Sequence, residues 1–254
     1  MKGESFDKTM MEYEVNANLK VPMGNYICLR LDGRKFHTEV KRLGLERPFD
    51  KKLREALVTT TKYLIKEFPD IIFAYTESDE VTLILARDSL LFNRRPEKLC
   101  SVIPSYFSVV FNKVINTGTE PDLNPCFDCR ILVFPTFELV KKNIKWRIYD
   151  SARNSISTYL LWTKVSKESK STRKVTKEMD RMKDFEKKKV LENFDINWAD
   201  IPAWICLGTF IYKVKKMKIG YNPIKKVAVE TERYELNTMD VSHKDFNIDA
   251  IIKE

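Results

Sequence analysis

The chain has 254 residues, 43% of them hydrophobic, enough for one large core or for a main core with an appended module. Lys and Arg outnumber Asp and Glu by 45 to 36, a formal net charge of +9 that draws a protein toward polyanions, nucleic acid first among them. No apolar run approaches the roughly 20 residues of a membrane helix, the N-terminal Met1-Lys2-Gly3-Glu4-Ser5-Phe6-Asp7 lacks the apolar stretch of a signal peptide, and five scattered cysteines point to reduced thiols and a cytoplasmic location.

Residues 26–32 form a short apolar run that predicts a buried strand ending at Asp32-Gly33, where glycine permits a tight turn and close backbone approach to a ligand. Residues 50–68 carry Leu53, Ala56, Leu57, Leu64 and Ile65 on one helical face, with Asp50 as N-cap and Pro69 as stop. Residues 71–76 and 81–86 predict two strands of a hairpin with Glu77-Ser78-Asp79-Glu80 at its tip. A helix over 96–115, opened by Pro96, leads to a loop from Val114 to Cys126, and 130–134 form a last apolar strand closed by Pro135. The order β-α-β-β-α-β is the ferredoxin-like unit of the α+β class, a palm-like antiparallel sheet with helices on one face. Its first strand and central hairpin are neighbours, so Asp32 and Asp79 can meet.

This palm-like domain is set at residues 1–135, and 136–254 are read as a basic, mainly helical extension packed on it, separate or integrated with it. Another helix is expected over 136–162. Between Thr163 and Leu191 eleven Lys/Arg stand against five Asp/Glu, a strongly solvated helical stretch. Lys213, Lys215, Lys216, Lys218, Lys225 and Lys226 form a second basic run without acids, followed over 227–254 by a short strand-like run and a mixed tail.

A lone strand-end acid most often only solvates a turn. Two acids at the ends of neighbouring core strands can instead hold hard divalent cations against phosphate oxygens. Asp32, the Gly33 carbonyl and Asp79 are the candidate ligands, and Glu80 is either a further acid of the site or a support for the hairpin. Gly33-Arg34-Lys35-Phe36-His37 follows the first acid directly, and consecutive backbone N–H groups at such a turn can cradle a triphosphate. Arg94, Arg95 and Lys98 are candidates for further phosphate contacts, or simply an exposed basic surface. Cys126-Phe127-Asp128-Cys129 is an isolated CxxC; with His37 and His243 as the only histidines, it is read as structural thiols rather than zinc ligands.

Together these segments resemble the tRNA(His) guanylyltransferase superfamily, the enzymes that add nucleotides in the 3′-to-5′ direction. The resemblance rests on Arg30-Leu31-Asp32-Gly33-Arg34-Lys35-Phe36-His37, Arg47-Pro48-Phe49-Asp50, Ala74-Tyr75-Thr76-Glu77-Ser78-Asp79-Glu80 and Leu91-Phe92-Asn93-Arg94-Arg95-Pro96-Glu97-Lys98, and runs from about residue 5 to 215. It implies a nucleotidyltransferase with two Mg²⁺ ions held by Asp32, Gly33 and Asp79, and with ATP and GTP, or other nucleoside triphosphates, as substrates. Nucleotide contacts would come from residues 33–37, Arg47, Asp50, Ser78 and Lys98. Contacts to tRNA would come from Arg30, Arg94, Arg95, Arg130, Arg153, Asn154, Lys187 and Lys188, and the basic stretches 163–191 and 213–226 would dock its phosphates. Family members assemble as homodimers or homotetramers.

Members that guanylylate tRNA(His) in eukaryotes carry His-Ile-Asn-Asn where this chain has Ala152-Arg153-Asn154-Ser155. That departure favours the branch that repairs 5′-truncated tRNA by templated addition over a dedicated tRNA(His) guanylyltransferase. Arg47 stands where eukaryotic members have a lysine that assists adenylylation of the tRNA end. A non-catalytic RNA-binding module and a nucleotide cyclase are the rivals from other classes.

Overall fold

The computed structural model describes residues 19–115, 125–222 and 227–242, with Met10 and Tyr13. Strand β1 (Tyr26–Gly33) is followed by a short helix α1 (Phe36–Arg42) and by α2 (Lys51–Glu67). The hairpin β2 (Ile71–Glu77) and β3 (Glu80–Leu85), helix α3 (Pro96–Ile115) and strand β4 (Phe127–Phe134) complete the expected β-α-β-β-α-β order, with α1 as an addition that the sequence reading left out. The extension supplies α4 (Phe137–Lys167), α5 (Thr172–Glu178), α6 (Asp184–Glu192), α7 (Ala203–Leu207) and the hairpin β5 (Thr209–Asn222) and β6 (Val227–Asp240).

One six-stranded antiparallel sheet runs β4-β1-β3-β2-β5-β6. The α+β class and the palm-like core therefore stand. Strand alternation divides β1 between two cores. Ile27, Leu29 and Leu31 pack with Leu57 and Leu64 of α2 and Ile103 and Phe107 of α3. Tyr26 and Cys28 face the other way and pack with Phe73, Tyr75 and α4 residues Val140, Ile144 and Ile148. Helices α2 and α3 thus share one face, as expected of the palm, and α4 of the extension covers the other, because β1 and β2 are apolar on both sides and a single helical layer would leave Phe73 and Tyr75 in water.

The extension is mainly helical, as expected, and its helices are followed by a strand hairpin. The lysine run at 213–218 is strand β5, which pairs with β2 only from Thr209 to Tyr212 and beyond that only with β6. Among the described residues no layer covers either face of the outer part of this hairpin, so its residues need not alternate apolar with polar, and that alternation is the signal by which strands are found. The short strand-like run expected after 227 is the whole of β6. The 163–191 stretch is the end of α4 followed by α5 and α6. Most of the expected loop, residues 116–124, and the tail 243–254 lie outside the described residues. Among the described residues no helix is long and apolar enough to cross a membrane.

Candidate active site

Strand β1 delivers Asp32 at its end, opposite Glu80 on β3 and Asp128 on β4, so three carboxylates stand in one row on the sheet face that α4 covers. Asp79 occupies the two-residue tip between Glu77 and Glu80, which pair across the hairpin. The Gly33 N–H donates to the Asp79 carbonyl at 3.2 Å, which ties the two acid-bearing turns together. Ser78 holds the tip in the left-handed region, φ 48°, and its hydroxyl donates to Asp79 Oδ1 at 3.1 Å.

Burial raises the Asp79 carboxyl to about 6, and the charge of Asp32 adds to the shift. Among the described residues no Lys or Arg forms an ion pair with either acid, in contrast to Glu77 and Glu80. Two neighbouring carboxylates without a cation are a donor set of hard oxygens that suits Mg²⁺. Asp32, the Gly33 carbonyl and Asp79 fit that ion, with the remaining coordination left to water and substrate phosphates.

A cleft of about 350 Å³ opens beside the acids. Gly33, Lys35, His37, Ser78 and Asp79 line one side, the 46–50 loop another, and Thr158 and Trp162 of α4 a third. Arg47 lies with its guanidinium 4.0 Å from the Trp162 ring centroid and donates to the His37 carbonyl at 2.7 Å. Asp50 caps α2 by accepting from Leu53 N at 3.1 Å and accepts from Glu46 N at 2.7 Å, so it shapes the loop that walls the cleft. The Gly33 and Arg34 N–H groups are taken by the carbonyls of Asp79 and Cys126, which leaves Lys35, Phe36 and His37 as the N–H donors of the 33–37 cradle. The Phe36 side chain borders the cleft but is almost wholly given to the core. It is buried against Phe111 and Phe127, and a Cβ on residue 33 would strike its ring.

Other candidates take different roles. Glu80 is held by Arg147 at 2.7 Å, with Arg30 at 3.8 Å, so it supports the hairpin and is not a free catalytic acid. Arg147, which the sequence reading missed, is buried and also bonds Glu77 and, at 2.9 Å, Asp150. Burial raises the Glu77 carboxyl to about 7 against the opposing pull of Arg147. Its signal was present in the sequence: Arg147 falls on the helical stripe of Val140, Ile144, Ile148 and Ser151, where a cation must be paired.

Arg94 is not an RNA or phosphate contact. It is buried, and its guanidinium donates to the carbonyls of Val21, Pro22, Arg87, Ser89 and Asn25. Those partners lie at the start of β1 and the end of β3, so Arg94, Arg95 and Lys98 sit at the far end of the sheet, roughly 20 Å of strand from Asp32. Arg95 is further paired with Glu97 at 2.5 Å. Within one chain these three do not reach the cleft.

Lys187 is likewise buried, bonded to Ser157 Oγ at 2.9 Å and Asp184 Oδ1 at 3.2 Å, whereas Lys188 is exposed. Arg130 is exposed opposite Arg30; Arg153 and Asn154 are exposed on α4, with Arg153 paired to Asp150 at 2.7 Å. The lysines of β5 face acids across the hairpin: Lys215 pairs with Glu232, and Lys216 and Lys218 both pair with Glu235. Lys215, Lys216 and Lys218 are therefore charge-compensated, and Lys225 and Lys226 lie outside the described residues. Cys126 and Cys129 are free thiols, and among the described residues no group of three or more His, Cys, Asp and Glu is placed to hold a metal.

A family model described as tRNAHis guanylyltransferase matches residues 7–135. The chain is 31% identical over 192 residues to a probable tRNA(His) guanylyltransferase of Dictyostelium discoideum, covering 74% of this chain and 75% of that protein. It resembles the crystal structure of tRNA(His) guanylyltransferase from Saccharomyces cerevisiae with a TM-score of 0.73 at 24% identity, covering 87% of this chain and 94% of the other. It also resembles a bacterial tRNA(His) guanylyltransferase-like protein in complex with ATP, with a TM-score of 0.68 at 30% identity over 82% of this chain and 88% of the other.

Proposed function

The chain belongs to the tRNA(His) guanylyltransferase family, and on that premise we propose that it joins nucleotides to the 5′ end of tRNA, guanylate first among them. It is a nucleotidyltransferase. The observation that carries the finer reading is the pair Asp32 and Asp79, hydrogen-bonded turn to turn and without a partner cation, at the rim of a cleft sized for a nucleotide.

In this reading Lys35, His37 and the N–H groups of Lys35–His37 hold the triphosphate. Arg47 and Trp162 line the base-binding part of the cleft, and Ser78 orients Asp79. Asp32, the Gly33 carbonyl and Asp79 hold Mg²⁺, which when bound neutralises phosphate charge and favours deprotonation of the attacking hydroxyl. The chemistry is positioning and charge compensation. The 3′-hydroxyl of the incoming nucleotide attacks the 5′-terminal phosphorus, losing its proton as the new phosphodiester forms. The leaving group is AMP from an adenylylated end, or pyrophosphate from a triphosphorylated one. Arg47 keeps positive charge where eukaryotic relatives have lysine, in a stacked geometry that lysine does not reproduce.

The names of the curated relatives favour guanylate addition, which moves templated repair to second place. Repair retains one observation of its own: Ala152-Arg153-Asn154-Ser155 stands on α4 in place of His-Ile-Asn-Asn, with Arg153 and Asn154 exposed and Ser155 buried. Incubation with labelled GTP and either intact tRNA(His) or 5′-truncated tRNAs separates the two. Guanylate addition predicts labelling of intact tRNA(His); labelling of truncated tRNAs alone makes repair the function. Asp32→Asn or Asp79→Asn lowers incorporation by more than about a hundredfold, the upper end for groups that merely support a metal ligand. Turnover of GTP without RNA would instead indicate a cyclase-like reaction.

A further inference from the structure

The acids and the cleft account for the incoming nucleotide, but they contain nothing that grips the strand to which it is joined. The outer face of α4 offers such a grip. Lys142, Lys145, Trp146, Tyr149 and Arg153 follow one another at helical spacing along this face. Trp146 is 51% and Tyr149 75% exposed, an unusual surface for large aromatics unless something covers them. Aromatic rings interleaved with cations suit unpaired nucleotides, whose bases stack on the rings while lysines meet the phosphates.

Trp146 is also held in place. Its ring centroid lies 5.1 Å from the Arg147 guanidinium carbon. Arg147 is itself fixed by Glu77, Glu80 and Asp150. The indole thus sits beside an immobilised cation with half its surface open, so little freedom is lost when a base stacks on it. Glu80 stands opposite Asp32, which puts this platform next to the paired acids. It is nevertheless separate from the cleft, which meets α4 at Thr158 and Trp162, roughly 20 Å further along the helix axis. Among the described residues of this part of α4, Asp150 is taken up by Arg147 and Arg153 and Glu138 by Lys141, which leaves Lys142 and Lys145 to make the face cationic. Two copies of it would repel each other, which argues for a polyanion rather than a second chain.

We propose that Trp146, with Tyr149 beside it, is a stacking platform for an unpaired base of the RNA strand whose end lies at Asp32 and Asp79, with Lys142 and Lys145 on its phosphates. The inference rests on the nucleotidyltransferase reading above. Fluorescence anisotropy with an end-labelled tRNA carrying unpaired terminal nucleotides, alongside a blunt RNA duplex, tests it in the full chain. Trp146→Ala weakens binding of the first RNA by about tenfold, within the range for loss of one stacked base. The duplex is affected less, Trp146→Phe restores most of the affinity, and GTP binding measured by calorimetry is unchanged. Equal affinity of the wild type and the Trp146→Ala,Tyr149→Ala double variant overturns the platform, even if the wild type incorporates GTP normally. A double variant that sediments as a smaller species while RNA affinity holds assigns the face to a second copy and overturns it too. A wild type that neither binds RNA nor incorporates GTP sinks the tRNA reading itself.

Discussion

Arg94 and Arg95 are adjacent, identical in type and indistinguishable in a sequence reading, yet only Arg94 is buried. Its five carbonyl partners join the start of β1 to the turn after β3, and among the described residues only the Pro22 carbonyl has a second side-chain donor, Asn25 Nδ2 at 3.2 Å, so removing Arg94 strands most of them. Arg94→Met is expected to cost roughly 3 kcal/mol, from buried acceptors left unpaired at about 1–3 kcal/mol each with partial access of water to the others. For a chain of this size that lowers Tm by about 10 °C. RNA affinity per folded molecule stays unchanged; a selective loss of RNA affinity with Tm intact would return Arg94 to the binding surface. The paired acids were legible because strand ends and turn residues are local features. Arg94 and Lys187 were misread because burial of a long polar side chain depends on carbonyls and hydroxyls distant in sequence. Gly33 shows both kinds of cause at once: its turn was visible locally, but its conflict with a Cβ comes from the Phe36 ring folded back over it.

Helix α4 links the second core to the acid-bearing hairpin. One of its residues, Arg147, binds the carboxylates on both sides of Asp79, so helix packing and acid placement are coupled through one guanidinium. Arg147→Lys keeps the charge but lacks the planar fork that engages Glu77, Glu80 and Asp150 together. The expected result is a half-saturating Mg²⁺ concentration for GTP incorporation raised roughly tenfold, with excess Mg²⁺ recovering much of the rate. Calorimetric titration of Mn²⁺ into the protein without nucleotide should show the same weakening. A lower Tm with unchanged metal dependence would leave Arg147 a packing residue only. The boundaries of β1, α2 and α3 were legible from apolar periodicity and flanking Pro or Asp, because each is a layer of the core. Strand β5 was not, because its exposed lysines are balanced by acids of β6 and their pairing partners come from the far side of the hairpin turn.

At the scale of the whole molecule, the division at residue 135 separates pieces that share a sheet and a core. Tyr26, Phe73, Tyr75 and Ile84 belong to the first piece, and they are buried by Val140, Ile144 and Ile148 of α4 and by Phe210 of β5. The Tyr75 hydroxyl donates to the Leu207 carbonyl at 2.7 Å. Arg54 of α2 is paired with Asp240 at the end of β6, which also accepts from the Thr209 hydroxyl at 2.7 Å. Exposing four such large side chains in a fragment ending at residue 135 costs about 1.5–3 kcal/mol apiece. The total, roughly 6–12 kcal/mol, is comparable to the whole stability of an ordinary domain. The fragment would also expose β2 as an apolar edge, a template for pairing with further copies. We therefore propose that the two parts are one folding unit. The 1–135 fragment is expected to aggregate or to show no cooperative thermal transition, whereas the full chain unfolds in a single transition with matching near- and far-ultraviolet dichroism. A soluble fragment with a cooperative transition and Mg²⁺-dependent GTP binding would restore the palm as an independent domain, with the basic extension as an attached module.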